Sequence, residues 1–597
     1  MFKFKLTYVA LAAALSSTVV YADPSTYTHL SGATVVDIEA PNAAGVSHNL
    51  YREFNVGSNG LILNNSDSDI NHATFGNIAK NNNLTNGGAS VILNEVTSNK
   101  ASSLNGFIEV AGLKADVVIA NPNGITCSGC SFVNTNKAIL TTGQVNLTDE
   151  GAIGSYTITN GKITIGENGM DASTSYAALL ADAVAINGMV NAGNATVGGG
   201  NFTFDNSTGA MTSAGKSATV LQMISPVYSI DISSLGGIKA NSISMVGNNL
   251  GFGVRNKGSI IANSTLSITN NGLLTNDGSI ASNGYLTSIA ASGNFTNNGT
   301  LTTKNMTMIT TYGALNNSSK GTISSTKQLV LNASGNIQNS GTISATSSLV
   351  AASNGAITNN AGAKITSDAQ ITATSLGNFT NDGTIKGKNT ALNFIGTNFK
   401  NTGTISATGK VTVKSLNQDS TTNTGEIYNL GSITGENIDM LTNGTLAQST
   451  SGRMEATNAI TAHSYWLNNN GYMKAADITT DHGTISNTGT ITAANVSLTT
   501  YYDVTNEGTI YSTGDLLLDT QLKGNIYNYS LIQANGTLTM TAKKVVNSGR
   551  GCGWLKFNTC DVGTISANKI VLNSSYKYAS EMGGYQYFKI AEINTVL

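Results

Sequence analysis

Charged residues are scarce in this chain. Only 11% of its 597 residues are Asp, Glu, Lys or Arg, and the formal net charge is −2. A disordered chain combines low hydrophobicity with high net charge, whereas 40% of these residues are apolar, so a disordered Gly, Ser and Asn-rich chain is disfavoured. The sequence also lacks a cluster of Lys or Arg, which is the electrostatic footprint of nucleic-acid binding. We therefore expect no nucleic-acid partner.

Long apolar runs are missing as well. The first 22 residues begin with Lys3 and Lys5, continue with an apolar run at residues 6–15, and end on Ala22 in a small-residue cleavage site. This pattern is typical of a secretory signal peptide. A membrane anchor needs about 20 apolar residues, and neither this run nor any later segment reaches that length. We expect residues 1–22 to be removed and the mature chain to leave the cytoplasm.

Catalytic motifs are absent from the sequence. None of the five histidines (His29, His48, His72, His463 and His482) has a partner in a His-x-x-x-His pair, and there is no nucleophile elbow or phosphate-binding loop. His463 and His482 are separated by the length of one repeat, so we expect them to stack in adjacent coils rather than to bind a metal. The sequence predicts no catalytic residue, cofactor or metal site, and we do not expect an enzyme.

What the chain does contain is a short repeat with the pattern Asn-x-Gly-Thr-Ile. Clean copies begin at Asn339, Asn381 and Asn401, and close relatives begin at Asn256, Asn276, Asn297 and Ser319. The repeat glycines at 258, 278, 299, 321, 341, 362, 383 and 403 are separated by 20, 21, 22, 20, 21, 21 and 20 residues. A fixed period in this range indicates an array of stacked repeats.

Each repeat has the alternation of a β-strand. Apolar and polar residues alternate with period 2, which predicts about three short strands per repeat, separated by Gly, Asn and Ser turns. One interior column is predicted to contain Ile260, Ile280, Leu301, Ile323, Ile343, Ile365, Ile385 and Ile405. The asparagines at 256, 276, 297, 339, 360, 381 and 401 are predicted to form a ladder of side-chain amides. The glycine after each asparagine is expected to supply the positive φ of a tight corner.

These patterns predict an all-β fold, a right-handed parallel β-helix, whose hand follows the general rule for parallel crossovers. A leucine-rich horseshoe has a similar period, but here Leu is sparse and Thr, Ile and Val dominate. The period continues less regularly at Gly431, Gly452, Gly471, Gly489 and Gly508. The wider step from Gly403 to Gly431 predicts an inserted loop at residues 417–424.

The four cysteines form two local pairs, Cys127 with Cys130 and Cys552 with Cys560. In an exported chain an even number favours disulfides. A redox or zinc half-site is the alternative for Cys127 and Cys130, but no βαβ pattern or further ligands accompany them. The second pair brackets an aromatic loop that breaks the coil pattern, and a cap of the solenoid end, a tether and a surface hairpin all remain open for it.

A five-residue motif precedes the first cysteine pair: Asn121, Pro122, Asn123, Gly124 and Ile125. Pro122 fixes φ, Asn123 tolerates left-handed geometry, and Gly124 frees the exit of the turn. Because residues 115–120 read as a strand, the motif predicts a sharp corner between two coils.

With this motif the chain resembles the exported proteins of two-partner secretion systems, the filamentous haemagglutinin type. Residues 121–125 match the family motif Asn-Pro-Asn-Gly-Ile, and the Cys-x-x-Cys that follows is similar to the haemolysin and contact-dependent-inhibition branches. A second family motif, Asn-Pro-Asn-Leu, is matched by Asn81, Asn82, Asn83 and Leu84, where Asn82 replaces the proline. We expect that corner to be looser. Residues 178–188 and 230–237 also look like late parts of the same domain.

The resemblance implies a domain order. It predicts a signal peptide at 1–22, a two-partner secretion domain at 23–250, haemagglutinin-type β-helix repeats at 251–548, and a cap or tether with the second cysteine pair at 549–597. It also implies recognition by an outer-membrane β-barrel transporter with periplasmic targeting repeats. The expected location is outside a Gram-negative bacterium, secreted or on the cell surface.

Two functions remain open. The main one is an adhesin that binds a host or bacterial cell-surface receptor or glycan, because aromatic residues suited to such contacts concentrate late in the rod: Tyr465, Trp466, Tyr472, Tyr501, Tyr502, Tyr511, Tyr527 and Tyr529. The alternative is a truncated haemolysin or a carrier of a contact-dependent growth inhibition toxin that lacks its toxin domain. Too few residues follow the last clear coil at Ile565 for an enzyme domain.

Overall fold

The computed structural model describes residues 23–213, 228–249, 251–417, 425–547, 563–574, 587–590 and 593–595. In these ranges every regular element is a strand, and 57 of the strands belong to one continuous sheet. The fold class is confirmed as an all-β parallel solenoid, and its right hand stays a prediction. None of the described residues form a helix that is long and apolar enough to cross a bilayer. The predicted signal peptide, Cys552, Cys560 and residues 418–424 lie outside the described residues.

Three short strands form each regular coil, as the repeat predicted. In one coil they are Ile337–Asn339, Thr342–Ala345 and Ser348–Ser353. Each strand pairs in parallel with its equivalent in the next coil, so that Ile337 lies opposite Ile357, Ile343 opposite Ile365 and Leu349 opposite Ile371. Because every coil contacts mainly its two neighbours, the molecule is built along one dimension.

The first face of the regular rod consists of Phe252–Asn256, Leu273–Asn276, Phe295–Asn297, Leu315–Asn317, Ile337–Asn339, Ile357–Asn359, Phe379–Asn381 and Asn398–Asn401. The second consists of Ser279–Ser282, Thr300–Thr303, Thr322–Ser325, Thr342–Ala345, Lys364–Ser367, Thr384–Gly387 and Thr404–Ala407. The third consists of Leu286–Ala291, Met306–Thr311, Gln328–Ala333, Ser348–Ser353, Gln370–Ser375, Asn389–Phe394 and Lys410–Ser415. Ser259–Asn270 passes through the second and third faces without a break.

The coils before and after this regular part are less even. Before it, the solenoid strands are Thr26–Thr28, Thr34–Asp37, Val46–Tyr51, Leu61–Asn65, Val91–Val96, Ser102–Leu104, Phe107–Gly112, Ala115–Ala120, Ile125–Cys127, Cys130–Val133, Thr135–Thr141, Lys162–Ile165, Met170–Ala181, Ala183–Ile186, Met189–Gly199, Ile230–Ile232 and Gly237–Gly247. After it they are Glu426–Asn429, Ser432–Leu441, Thr445–Gln448, Arg453–Asn469, Tyr472–Lys474, Asp477–Asn487, Thr490–Ala493, Asn495–Thr500, Val504–Asn506, Thr509–Ser512, Leu516–Asp519, Asn525–Asn528, Leu531–Ala542, Lys544–Asn547, Thr564–Ser574, Tyr587–Ile590 and Ile593–Thr595.

The interior column of the rod is confirmed. Ile365, Ile385 and Ile405 lie in register on successive coils, and Ile385 has no exposed surface. The whole predicted column is buried in one apolar cluster that runs along the described solenoid. Stacking equivalent apolar side chains removes them from water without any single coil having a core of its own.

A ladder of buried side-chain amides runs beside this column. Asn359 Nδ2 donates to Asn381 Oδ1, and Asn381 Nδ2 donates to Asn401 Oδ1, both at 2.8 Å. The connected side chains are Asn256, Asn276, Asn297, Asn317, Asn339, Asn359, Asn381, Asn401, Asn429 and Gln448. A second ladder connects Asn469, Asn487, Asn506, Asn528 and Asn547. Each amide satisfies the next, which buried polar groups require.

Asn360 was predicted as a ladder member, and that prediction is wrong. Asn359 holds the ladder position, and Asn360 donates instead to the hydroxyl of Ser340. The reason is a longer corner, because Ile365 follows Asn359 by two residues more than Ile343 follows Asn339. The same lengthening hid Asn317, which belongs to the ladder but was not predicted.

The repeat glycines are needed for space rather than for φ. Gly341, Gly383 and Gly403 are not among the residues with positive φ, so the expectation about corner geometry is wrong for them. A Cβ on Gly403 would lie 2.0 Å from the carbonyl oxygen of Gly383. Gly362 does have a φ of +79°, but Ala363 takes the repeat position in that coil and accepts the hydrogen bond from Thr384 N.

The expected stacking of His463 on His482 is also wrong. His463 pairs with Asp481, and His482 pairs with Ser464, so the two rings point to opposite sides of their strands. His482 is buried and bonded through Nδ1 to Ser464 Oγ at 2.7 Å, and burial lowers its pKa to about 3. Within the described ranges no three His, Cys, Asp or Glu side chains are grouped as a metal site would require.

The interior column can be tested with neighbouring substitutions. Ile385→Asp would bury an unpartnered carboxylate, and we expect it to lower the free energy of unfolding by several kcal/mol. Thr384→Asp is the matched control, because Thr384 is only half-buried and lies in register with the exposed Lys364. We expect that control to change stability by less than about 0.5 kcal/mol. Thermal melting of the two variants measures the difference, and equal shifts would contradict the register.

Candidate functional site

The predicted corner at Asn121 follows the strand Ala115–Ala120 directly. Gly124 N donates to Asn121 O at 3.1 Å and closes a turn with Pro122 and Asn123 at its tip. Asn123 N donates to Asn121 Oδ1 at 2.9 Å. Asn123 Nδ2 also donates to Asn121 Oδ1 at 3.1 Å, so the turn has three bonds to one asparagine. Its tip, Pro122 and Asn123, is exposed.

Asn121 anchors this corner in the interior. Its side chain has no exposed surface, and Nδ2 donates to Lys100 O and Ser102 Oγ, each at 2.9 Å. Asn123 Nδ2 adds a bond of 2.7 Å to Ser98 O. Both side chains thus bind the chain segment before Ser102–Leu104, and the corner is held by the coil below it.

Gly124 provides the left-handed geometry of this turn. Its φ is +111°, whereas Asn123 is not among the positive-φ residues, so the role expected for Asn123 belongs to Gly124. Gly124 O then accepts from Ser102 N at 3.0 Å. Ile125 follows and is buried. It lies in parallel register with Ser102 on one neighbouring strand and with Ile163 on the other.

The corner at Asn81 has the same construction. Leu84 N donates to Asn81 O at 3.2 Å, and Asn83 N donates to Asn81 Oδ1 at 2.9 Å. Asn81 is buried and donates through Nδ2 to Ile38 O and Asn64 O. Asn82 occupies the place of Pro122 and is exposed. The turn bonds agree within 0.1 Å with those at Asn121, so the expected loosening is not seen.

The two corners rest on different parts of the fold. Asn81 is bonded to the backbone of Ile38 and Asn64, whereas Asn121 is bonded to Lys100 and Ser102. At each corner two exposed residues follow a buried asparagine whose side chain is hydrogen-bonded. Such tips are fixed in shape and uncharged, which suits recognition by a protein surface and offers no chemistry for catalysis.

Cys127 and Cys130 form a disulfide directly after the first corner, with Cα atoms 5.4 Å apart. Both cysteines are buried, and they join the end of Ile125–Cys127 to the start of Cys130–Val133. The bridge thus closes the next turn of the coil and holds the strand that the motif leads into.

Two antiparallel additions were missed by the sequence analysis. One is a sheet of Gln144–Leu147, Ile153–Ile158, Phe202–Asp205 and Met211–Ser213, with a small core around Tyr156, Phe202 and Phe204. The other is a hairpin of Ile70–His72 and Gly76–Ile78. A tight turn at Glu150 and Gly151 between alternating runs was the available signal for the first.

The missed hairpin places a histidine against a carboxylate of the solenoid. His72 Nε2 lies 2.6 Å from Glu109 Oε1. The Phe75 ring stacks on His72 at 4.7 Å between centroids and on Phe107 at 5.3 Å. The hairpin therefore packs on the strand Phe107–Gly112, and its two strands form a sheet separate from that of the solenoid.

Family models match two parts of the chain. The model described as TPS secretion domain matches residues 13–276. The model described as Haemagglutinin repeat matches residues 300–383, 352–415 and 502–575. The first match contains both corners, and the second falls on the stacked repeats.

Curated relatives cover the secretion-domain part of the chain. A tRNA nuclease CdiA of Yersinia mollaretii is 42% identical over 226 residues, which are 38% of this chain and 7% of that protein. Toxin CdiA of Escherichia coli is 40% identical over 237 residues, 39% of this chain and 7% of that protein. Toxin CdiA of Yersinia pestis is 39% identical over 261 residues, which are 43% of this chain and 8% of that protein. The matches thus span less than a tenth of each relative.

A solved structure, the filamentous hemagglutinin secretion domain, is also similar. It is 28% identical, with a TM-score of 0.38, and the match covers 55% of this chain and 95% of that one.

The two corners differ at two positions, Pro122 against Asn82 and Gly124 against Leu84, and the first difference allows a stability test. Asn123→Pro removes the N–H bonded to Asn121 Oδ1 and the side-chain bond to Ser98. We expect it to lower the free energy of unfolding by about 2–3 kcal/mol. Asn82→Pro places proline where the other corner already has Pro122, and we expect it to be neutral or to stabilise by up to about 1 kcal/mol. Denaturant unfolding of both variants measures this, and equal losses would contradict the equivalence of the corners.

Proposed function

The chain belongs to the family of two-partner secretion exoproteins, and from that premise we propose that a partner β-barrel transporter exports it through the outer membrane of a Gram-negative bacterium. Outside the cell it acts as an adhesin. The observation that carries the export step is the pair of rigid, exposed tips at Asn82 with Asn83 and at Pro122 with Asn123, within the part matched by the secretion-domain model.

In this proposal residues 23–250 are the part that the transporter recognises, through its periplasmic targeting repeats. Residues 1–22 direct the chain out of the cytoplasm, residues 251–548 form the rod, and residues 549–597 cap the rod or tether it. The residues in contact with the transporter are Asn121, Pro122, Asn123, Gly124 and Ile125, with Asn81, Asn82, Asn83 and Leu84 as a second contact.

The stacked architecture supports export in an unfolded form. A coil contacts mainly its neighbours, and its strands and amide ladder are completed only when the next coil is present. A chain crossing a pore cannot keep such contacts, whereas coils that have emerged can add one after another. Folding outside then gives the movement a direction without another source of energy.

Adhesion is favoured over catalysis by the surface of the rod. A solenoid presents long faces to extended ligands, and four aromatic side chains are exposed late in the rod, Tyr465, Trp466, Tyr501 and Tyr502. We expect no enzymatic activity of this chain, since nothing in the described part combines a nucleophile with a base in an open cleft. The nuclease activity named for the relatives belongs to those proteins.

A toxin carrier is the second candidate. It is favoured by the similarity to CdiA proteins and by Cys127 and Cys130, which that branch shares with the haemolysins. A carrier would inhibit or lyse target cells, whereas an adhesin binds them without loss of viability. Incubation of purified protein with host and bacterial cells, with counts of bound and of lysed cells, distinguishes the two.

The export proposal predicts that the first part of the chain is sufficient. A chain that ends at Asn249 should appear in the medium when it is produced with a matching transporter, because both corners lie before that point. The same chain without the transporter is the control and should stay inside. Retention in the periplasm with the transporter present would contradict the proposed boundary.

The role of the first corner is tested by Asn123→Pro in the full chain. We expect export to fall at least tenfold, because the tip loses the three hydrogen bonds that Asn123 donates. Asn82→Pro should be exported at the normal level. The amounts in medium and periplasm are compared by immunoblot, and normal export of Asn123→Pro would remove this corner from transporter recognition.

A further inference from the structure

Four aromatic side chains form a compact cluster at one corner of the late coils. Tyr465, Trp466, Tyr501 and Tyr502 are 43%, 47%, 46% and 45% exposed. Their rings touch in sequence: Trp466 meets Tyr465 at 4.4 Å between centroids, Tyr465 meets Tyr502 at 6.3 Å, and Tyr502 meets Tyr501 at 5.0 Å. Four exposed rings in mutual contact form a larger apolar surface than a single exposed side chain, and such a surface marks a binding surface.

Gly483 explains how side chains two coils apart can meet. It occupies the same corner in the intervening coil, and Tyr502 N donates to its carbonyl at 2.7 Å. A Cβ there would lie 3.3 Å from Tyr465 Cδ2. Because the middle coil has no side chain at this corner, the rings of Tyr465 and Tyr502 close over it and form one platform.

The next coil holds this platform from the other side with a strained turn. Gln521 and Leu522 have φ values of +52° and +58°, a conformation that costs residues other than glycine about 1–3 kcal/mol each. The turn places Lys523 Nζ 3.8 Å from the centroid of the Tyr501 ring, a favourable cation–π contact. A hydrogen bond to Tyr465 also raises the pKa of the Tyr502 hydroxyl. The rings of the cluster are thus held in place by contacts with one another and with the next coil.

A polar groove of about 650 Å³ lies on the face that leads into this corner. Its polar lining includes Asp477, Thr479, Asn495, Ser497, Asp515 and Thr537. Asp477 pairs in register with Asn495, and the strand that starts at Leu516 continues the stack. The strand Asn495–Thr500 runs from the groove straight into Tyr501 and Tyr502. The groove therefore spans four coils at the start of this face, and the platform lies across the face, beyond the other end of the same strand.

The lining can bond hydroxyl groups and repels anions. Asp477 accepts from Asn495 Nδ2 at 2.8 Å, and Asp515 accepts from Thr537 N at 2.7 Å. A carboxylate has about four acceptor positions, so each keeps capacity for a ligand hydroxyl. The charged residues of the lining are both aspartates. Within the groove, bound anions such as sulfate or carboxylate groups would meet like charge, and Lys523, the cation of the platform, lies over the Tyr501 ring instead.

We infer that the groove and the aromatic platform together bind a neutral oligosaccharide that runs across this face, from the groove to the platform. The C–H face of a pyranose ring packs on the electron-rich face of an aromatic ring, and its hydroxyls match the Asp, Asn and Thr groups of the groove. This inference rests on the proposed role as an exported adhesin and specifies the class of its ligand. Because the strand Asn495–Thr500 separates the groove from the platform, an extended chain of several sugars can contact both, whereas a single sugar cannot.

The test uses the purified full chain. Maltohexaose, xylohexaose and N-acetylchitohexaose are the neutral probes, a heparin hexasaccharide is the acidic probe, and hexalysine represents a cationic peptide. Binding is followed by calorimetry and by tryptophan emission, since the chain has 2 tryptophans. We expect at least one neutral probe to bind and heparin not to bind. Failure of all three neutral probes, or a preference for heparin or hexalysine, would overturn the inference.

Variants locate the site. Trp466→Ala and Tyr502→Ala should each weaken binding of the neutral probe at least tenfold. Tyr285→Ala and Tyr312→Ala are matched controls, because these tyrosines are 70% and 74% exposed and contact no other aromatic ring in the described part of the chain. They should bind normally. Asp477→Asn with Asp515→Asn removes the negative charge of the lining and should raise heparin binding at least threefold. Equal binding by Trp466→Ala, Tyr502→Ala and the controls would place the ligand elsewhere.

Cell assays separate this inference from the proposed function. If wild-type protein binds cells and Trp466→Ala binds them equally well, the adhesin proposal stands and the glycan surface is wrong. If neither protein is exported or binds any cell, the proposed function is wrong, whatever the calorimetry gives.

Discussion

Parallel stacking of equivalent residues is the constraint on which this structure depends. Once Ile385 lies over Ile365, every neighbouring position is stacked as well: Thr384 over Lys364, Asn381 over Asn359 and Gly383 over Ala363. An interior position therefore tolerates only a side chain that packs or bonds well against the same or a similar side chain in the next coil. Isoleucine meets this condition by apolar contact, and asparagine meets it because an amide is both donor and acceptor. Glycine meets it where two backbones come too close for a Cβ.

Most of the rod could be predicted from the sequence for this reason. Because equivalent residues stack in space, they recur in the sequence at intervals of one coil. The columns that contain Ile343 and Asn339 are therefore visible as a sequence period. What could not be predicted was any change in corner length. Asn359 and Asn360 are both plausible ladder members until the two additional residues before Ile365 are assigned to the corner. The role of the glycines was misread for a related reason, because a requirement for space and a requirement for positive φ select the same residue.

The secretion-domain part was harder, because its coils carry additions that do not repeat. Tyr156 and Phe204 lie on strands of a sheet that leaves the solenoid and are buried together with Val118 of the solenoid, and their alternation looks the same as that of a solenoid strand. The corners at Asn81 and Asn121 were predictable as turns, since Pro122 and Gly124 have strong local preferences. Their anchoring was not, because Ile38 and Lys100, which accept the buried amides, are distant in sequence or carry no motif. Local geometry can be read from five residues, whereas the contacts that make it rigid depend on the completed coil.

Along this rod, the residues that stack most regularly are not those that give a coil a surface different from its neighbours. The amide ladder is broken between Gln448 and Asn469, where Gln448 Nε2 donates to the backbone of Tyr472 and Asn469 Oδ1 is buried without a partner. The long strand Arg453–Asn469, which ends at this break, also carries Tyr465 and Trp466. A uniform column of small residues would have stacked better there, but it would present the same surface on every coil. The late coils depart from the repeat at this corner, with Gly483 between two aromatic coils and left-handed residues at Gln521 and Leu522. Positions that do not match the next coil are the ones at which a solenoid can distinguish one ligand from another, and they persist because the coils stacked against them hold them in place.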